Sequence, residues 1–538
     1  MAIEHWKPSR AFTKHEQFLL KHVRRTRKLF AFLREYRHEI FDDEFQSELG
    51  SMYRDTGAGD PPVAPAMMAM ATLLQGYTSA SDAEAVVLTV VDLRWQMVLD
   101  RLGSEEPAFS QGAFYEFRQR LIRTDMDRRL LERTAEIART SKAFDAKKLP
   151  KSLRVGIDSS PIEGAGRVED TINLIGHAAR NVMTCAATLL GWPEERLCRE
   201  AGIPVLLGSS VKAALDREWS DPNQKAEAIK VLVAQVASLN AWLREHLAEE
   251  LTKPPLEQEL KVLEQVLGQD LEPDPTPEGG VRIRQGVAED RRVSIQDSEM
   301  RHGRKSKTKR FNGYKRHIAA DLDSDLILAC AITPANRPEE EATPDLKVDL
   351  GRQKLVIDEL YIDRAYINSG LVDHVQDTDG EIFCKPWFAR NGALFTKQDF
   401  KINMRDLTIT CPAGETERFQ PGSVVEFDPE VCAHCPLRAQ CTMAAPETGR
   451  SIKIAENERL QHRLRKRIAT RNGRAVLRRR VGIEHRLAHI SQRQGRRARY
   501  CGTRKNLFDL RRAASIQNLE TLQRANANLE TLQKANAN

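Results

Sequence analysis

What this chain of 538 residues lacks narrows its possibilities first. Nowhere does it string together the ~20 apolar residues that a membrane helix needs; its longest apolar stretch, roughly 63–74, falls well short. The N-terminal segment carries Arg and Lys but no apolar run closing on small residues, so no secretory leader is expected. A cytoplasmic protein with no membrane partner is the expectation. Cysteine is scarce and uneven, nine in all with four between Cys411 and Cys441. That excludes a disulfide scaffold, and in a reducing compartment such clustering favours metal over disulfide. Repetition is confined to the end, where residues 518–527 return almost letter for letter at 528–537 with Lys534 for Arg524. Two copies are too few for a solenoid, and a duplicated tail at 518–538 without an essential role is expected. At 41% hydrophobic and 30% charged, collagen and wholesale disorder are excluded, and the length suggests three or four structural units.

Acid is nearly missing from one long stretch. Between Gln461 and Lys505 there are 16 Lys and Arg against the single acid Glu484, although the whole chain is only +7. Concentrated positive charge is the footprint of a phosphate-backbone partner, or else a solvated helix face. Residues 1–150 read as helical, with Phe18, Leu19, Val23, Phe30 and Leu33 set among basic residues over 15–36. At Leu153 the texture changes: 153–158 alternates apolar with other residues and stops at Ser159-Ser160-Pro161, a short strand with Asp158 at its end. Two leucine-rich helical patterns then flank Pro254-Pro255, a helical hairpin. Strand texture returns in a hairpin over 313–333 and again at 360–363. Residues 382–450 look β-rich and irregular, and from about 457 the chain is helical and basic.

Three carboxylates stand out by context. Asp158 and Asp363 end apolar strands, and Glu484 shares the spacing of Leu477, Val481 and Ala488, so it is expected to face the core. Carboxylates on strand ends and on a helix packed against the sheet can converge on Mg²⁺, which keeps its other positions for water and phosphate. Two such ions ~3.5–4 Å apart stabilise both oxygens of an in-line phosphoryl displacement. The same acids also fit strand-end caps and an i,i+4 ion pair of Glu484 with Arg480. Cys411, Cys432, Cys435 and Cys441 form C-x20-C-x2-C-x5-C. That set suits structural Zn²⁺, while an iron–sulfur cluster and reduced, unliganded thiols remain open.

The run Asp158-Ser159-Ser160-Pro161-Ile162, followed by Gly166-Arg167-Val168-Glu169-Asp170-Thr171, resembles the first catalytic block of bacterial insertion-sequence transposases of the DDE superfamily. So does Lys309-Arg310-Phe311-Asn312-Gly313-Tyr314-Lys315-Arg316-His317. The family's second aspartate, followed by a small residue and Tyr, is matched by Asp363-Arg364-Ala365-Tyr366, and its glutamate block by Arg480-Val481-Gly482-Ile483-Glu484. Where relatives carry Tyr and Lys around that block, this chain has Leu477 and Ser491, with Arg493 as the stand-in phosphate contact.

The resemblance implies an α/β protein with an RNase H-like mixed-sheet catalytic core over 151–171, 290–380 and 455–517. A helical insertion at 172–289 and a small cysteine-rich β insertion at 381–454 would interrupt it. An all-α domain at 1–150 would bind DNA and dimerise. Asp158, Asp363 and Glu484 would hold two Mg²⁺ and drive cleavage of element ends and strand transfer into target DNA. Arg480, Lys315, Arg316, Arg493 and Arg497 would contact DNA, and the protein would be a homodimer bridging two ends. The alternatives are a non-catalytic DNA-binding derivative and a metal-dependent, structure-specific nuclease.

Overall fold

The computed structural model describes residues 3–54, 61–140, 152–275, 279–445 and 447–537. The domain boundary expected near 150 lies outside them. At the centre is a six-stranded mixed sheet. Its main strands are β1 (Leu153–Glu163), β2 (Arg310–Asp321), β3 (Ile327–Pro334), β4 (Ile357–Tyr361) and β5 (Glu381–Phe383). They lie in the order β3–β2–β1–β4–β5, and a short strand, Arg301–Arg304, pairs the outer part of β2. β1, β2 and β3 alternate in direction, whereas β4 and β5 run parallel to β1. The β2–β3 turn is set by Asp321, whose side chain accepts from the Ser324 backbone at 2.8 Å, and by Asp325 at φ +62°. Aspartate tolerates that left-handed conformation well.

β1 is longer than its alternating pattern suggests. Instead of stopping at Asp158 it continues through Ser159-Ser160-Pro161 to Glu163, paired throughout with β2. The proline is tolerated because the pairing of β1 with β4 ends at Gly156–Tyr361, so Pro161 has no strand on its other side that needs its missing N–H. Asp158 therefore sits in mid-strand, just past the point where the sheet opens beside it.

The helical stretch 15–36 divides into two helices, Lys14–Thr26 and Lys28–Ile40, broken at Arg27 (φ −136°, ψ 58°). One further expectation changes. The repeated stretch is no loose tail in its first copy. One helix, Thr503–Ala537, carries Asn518, Leu519 and Leu522 fully buried. Asn518 accepts from the Ile327 N–H of β3 at 2.8 Å and donates to the Ile327 carbonyl at 2.9 Å and to Thr134 Oγ1 at 3.0 Å. The same helix packs on Pro65–Thr78 and Met126–Thr140, so the N-terminal helices and one face of the sheet share a single apolar core. Arg511 reinforces the joint through Asp125 (2.6 Å) and Asp127 (3.2 Å), and Arg128 through Asp349 (2.8 Å).

The insertion between β1 and β2 has its own core, built on helices Thr171–Leu190, Pro222–His246 and Leu256–Asp270. The cysteine-bearing segment is a pair of small antiparallel sheets around Phe400, Ile409, Val425, Phe427 and Ile452. No helix among the described residues is long and apolar enough to cross a membrane.

Candidate active site

Three elements bring the acids together. Asp158 lies on β1, two residues past the last β4 contact. Asp363 follows β4 and caps the turn Arg364–Tyr366, its Oδ1 accepting from the Arg364 N–H at 2.7 Å. Glu484 rides on the helix Val481–Gln494, which lies across β1 at Gly156. A Cβ on Gly156 would stand 3.0 Å from Ile483 Cβ, so the glycine is what lets this helix close on the strand. The buried stripe of the helix is Ile483, Leu487 and Ile490. Glu484 is therefore not on the core face, as its spacing with Leu477 and Val481 suggests. Those residues rim a cavity of about 510 Å³ into which Glu484 opens.

Asp158 is the acid on which the other two bear. Burial pushes the Asp158 carboxyl above its usual range, and the charges of Glu484 and Asp363 push it further, against the Ser159 N–H and Arg480. Arg480 bridges two of the three acids, 2.5 Å from Glu484 and 3.6 Å from Asp158. Its Nη1 has no hydrogen-bond partner among the described residues. A guanidinium thus lies where the carboxylate charge accumulates. As the side chains stand, no group of three or more His, Cys, Asp or Glu among the described residues is close enough to hold a metal ion. The donor set still fits a hard cation, because these oxygens already hold a positive charge between them.

Beneath the acids is a buried polar strap that composition does not reveal. His317 on β2 bonds Tyr366 Oη through Nδ1 at 2.8 Å and Thr333 Oγ1 through Nε2 at 2.9 Å. Complete burial lowers its pKa to about 3, so the ring is neutral. The strap ties the Asp363 turn to the strand next to Asp158. Arg364, Lys385, Arg474 and Arg478 line the same cavity as Glu484, together with Phe388. Trp387, half-exposed, lies under Arg364 with the guanidinium carbon 4.9 Å from its ring centroid. The sequence signal for this wall was a pair of adjacent aromatics bracketed by basic residues, too short to distinguish from core.

The basic residues singled out by sequence divide. Arg480 is at the acids. Arg316 is 2% exposed and donates to Ser160 Oγ at 2.8 Å and Gln494 Oε1 at 3.1 Å, with burial lowering its pKa to about 10. It is a structural group rather than a DNA contact, since both faces of β2 are covered at that point. Lys315 pairs with Glu339 (3.1 Å), Arg493 with Glu520 (2.8 Å), and Arg497 donates to the Ala165 carbonyl (2.8 Å). In the cysteine segment, Cys411, Cys432, Cys435 and Cys441 all line one cavity of about 790 Å³. Burial raises the Cys441 pKa, and the other three thiols add to the rise.

Two family models match the chain. A transposase domain matches residues 19–120, and a transposase DDE domain matches residues 405–523. The two matches together indicate an insertion-sequence transposase of the DDE type. The DDE match takes in Glu484, Arg480 and the four clustered cysteines of the transposase, while Asp158 and Asp363 lie outside it. No curated protein and no solved structure matches it.

Proposed function

We propose that the transposase cuts DNA at the ends of its element and joins the freed strand to target DNA, using Asp158, Asp363 and Glu484. The observation that carries this reading is that Asp158 on β1 feels the charges of both Asp363, after β4, and Glu484, on a later helix. The β3–β2–β1–β4–β5 order, with two parallel strands beside three alternating ones, supports an RNase H-like core.

The three carboxylates would hold a pair of Mg²⁺ ions, which when bound supply Lewis acidity to the attacking and leaving oxygens. The protein's own part is positioning. The His317–Tyr366 strap fixes the Asp363 turn against β1, Gly156 sets the distance of the Glu484 helix, and the cations of the adjoining cavity hold the phosphodiester. Water attacks phosphorus and the 3′ oxygen leaves as a hydroxyl. In the joining step that hydroxyl attacks a target phosphodiester and displaces its 3′ oxygen, so no covalent protein intermediate forms. A structural Zn²⁺ on the four clustered thiols, a homodimer bridging two ends and a cytoplasmic location belong to the same proposal.

Asp158→Ala, Asp363→Ala and Glu484→Ala are each expected to reduce cleavage of an end-bearing duplex in Mg²⁺ by at least ~10³-fold with DNA binding nearly unchanged. A gel assay scoring bound, cut and joined products checks this. Binding with no cutting by the parent chain would favour a non-catalytic derivative, and cutting without joining a nuclease.

A further inference from the structure

The outer part of β2 runs on past the end of β1, the strand that carries Asp158. Beyond Asn312, whose carbonyl accepts from the Gly164 N–H at 2.7 Å, β2 is paired with Arg301–Arg304 alone among the described residues. The two strands form an arm that turns through 305–309, where the Lys305 N–H donates to the Lys309 carbonyl at 2.9 Å. Its base is fixed by close contacts. A Cβ on Gly303 would fall 2.6 Å from Ala335 Cβ, and one on Gly313 would fall 2.3 Å from the Ile162 carbonyl oxygen. The arm therefore projects from the sheet in a set direction.

Arg304, Lys305, Lys307, Lys309 and Arg310 are all exposed on it, and no acid occurs between Glu299 and Asp321. Lys315 and Arg316, the basic neighbours further along β2, are engaged by Glu339, Ser160 and Gln494. None of the five arm cations makes an ion pair among the described residues. Five like charges on one narrow tip repel one another and attract closely spaced negative charge.

The placement of the arm selects among such partners. Ile318 of β2 faces Asp158. Arg310, where the strand begins, is eight residues from Ile318, or about 26 Å at ~3.3 Å per residue, and the turn 305–309 carries the lysines beyond it. The arm lies ahead of the acids in the direction in which β1 and β4 run. One turn of B-DNA is ~34 Å.

Resting on the catalytic role proposed for Asp158, Asp363 and Glu484, we infer that this arm grips duplex DNA about one helical turn from the phosphodiester being cut. The five cations hold backbone phosphates where the same face of the duplex comes round again. The contact adds affinity and fixes the angle at which the end enters the site, and it reads no bases.

The test uses the full chain and a duplex carrying one element end with more than two helical turns of interior sequence. Replacing all five arm cations by Gln is expected to lower the slope of log affinity against log salt by about 4.5, at ~0.9 per lost phosphate contact. Hydroxyl-radical protection about 10 base pairs from the cut should vanish, while protection at the cut stays. An unchanged slope and footprint, or protection lost at the cut instead, overturns the inference. Lys307→Glu, confined to the exposed turn, gives the same distal loss if the five-fold variant folds poorly, and retained distal protection in it overturns the inference too. Asp158→Asn separates the two proposals. Cleavage surviving that change refutes the catalytic site and the one-turn offset with it, whereas cleavage lost beside an arm variant with full distal protection refutes the arm alone.

Discussion

Arg480 is the side chain on which the candidate site turns. A guanidinium shared between Asp158 and Glu484 offsets the repulsion of two partly desolvated carboxylates, and any cation entering between them must displace it. Arg480→Gln is therefore expected to tighten Mn²⁺ binding roughly tenfold, ~1.4 kcal/mol, the low end of measured close charge pairs. It is also expected to lower the melting temperature of the metal-free protein. Calorimetric titration with Mn²⁺ checks the first and a thermal scan the second, and weaker Mn²⁺ binding would rule the exchange out. At this scale the sequence was informative about identity and poor about orientation. Glu484 was conspicuous as the one acid in a basic helix, yet its apolar neighbours Leu477 and Val481 rim a cavity rather than the core. Arg316 looked like surface charge because a count of basic residues does not register that the sheet is covered on both faces at β2.

Among the elements, β1 and the cysteine segment teach different lessons. The alternation before Asp158 was legible because one face of a strand repeats every second residue. The continuation through Pro161 was not, because whether a proline is tolerated depends on where the neighbouring strand stops. The cysteine segment keeps only a handful of buried apolar residues around short strands, a small core for a segment of that length. If zinc completes it, the purified protein carries about one Zn²⁺ per chain by elemental analysis. Cys432→Ser then loses the metal, and chelation raises amide hydrogen exchange over 401–453 while the main sheet stays protected. Metal-free protein with unchanged exchange would leave the thiols as plain packing groups.

For the whole molecule, the decisive feature is that the N-terminal helices and the sheet share one apolar core. Two separate domains were expected from the change in texture near Leu153, and the shared core could not be read locally because it is closed by side chains more than 300 residues away, such as Asn518 against Thr134. Asn518→Ala leaves the buried Ile327 N–H and carbonyl without partners, and is expected to cost about 3 kcal/mol. Chemical denaturation should show that loss in a single transition sensed by both halves, and two separated transitions would show that they fold independently.

The helix Thr503–Ala537 also imposes an order on synthesis. A polypeptide ending before Thr503 would leave the sheet face and the N-terminal helices that this helix covers open to water, so an interrupted message is expected to yield aggregate or protease substrate instead of a partly folded product.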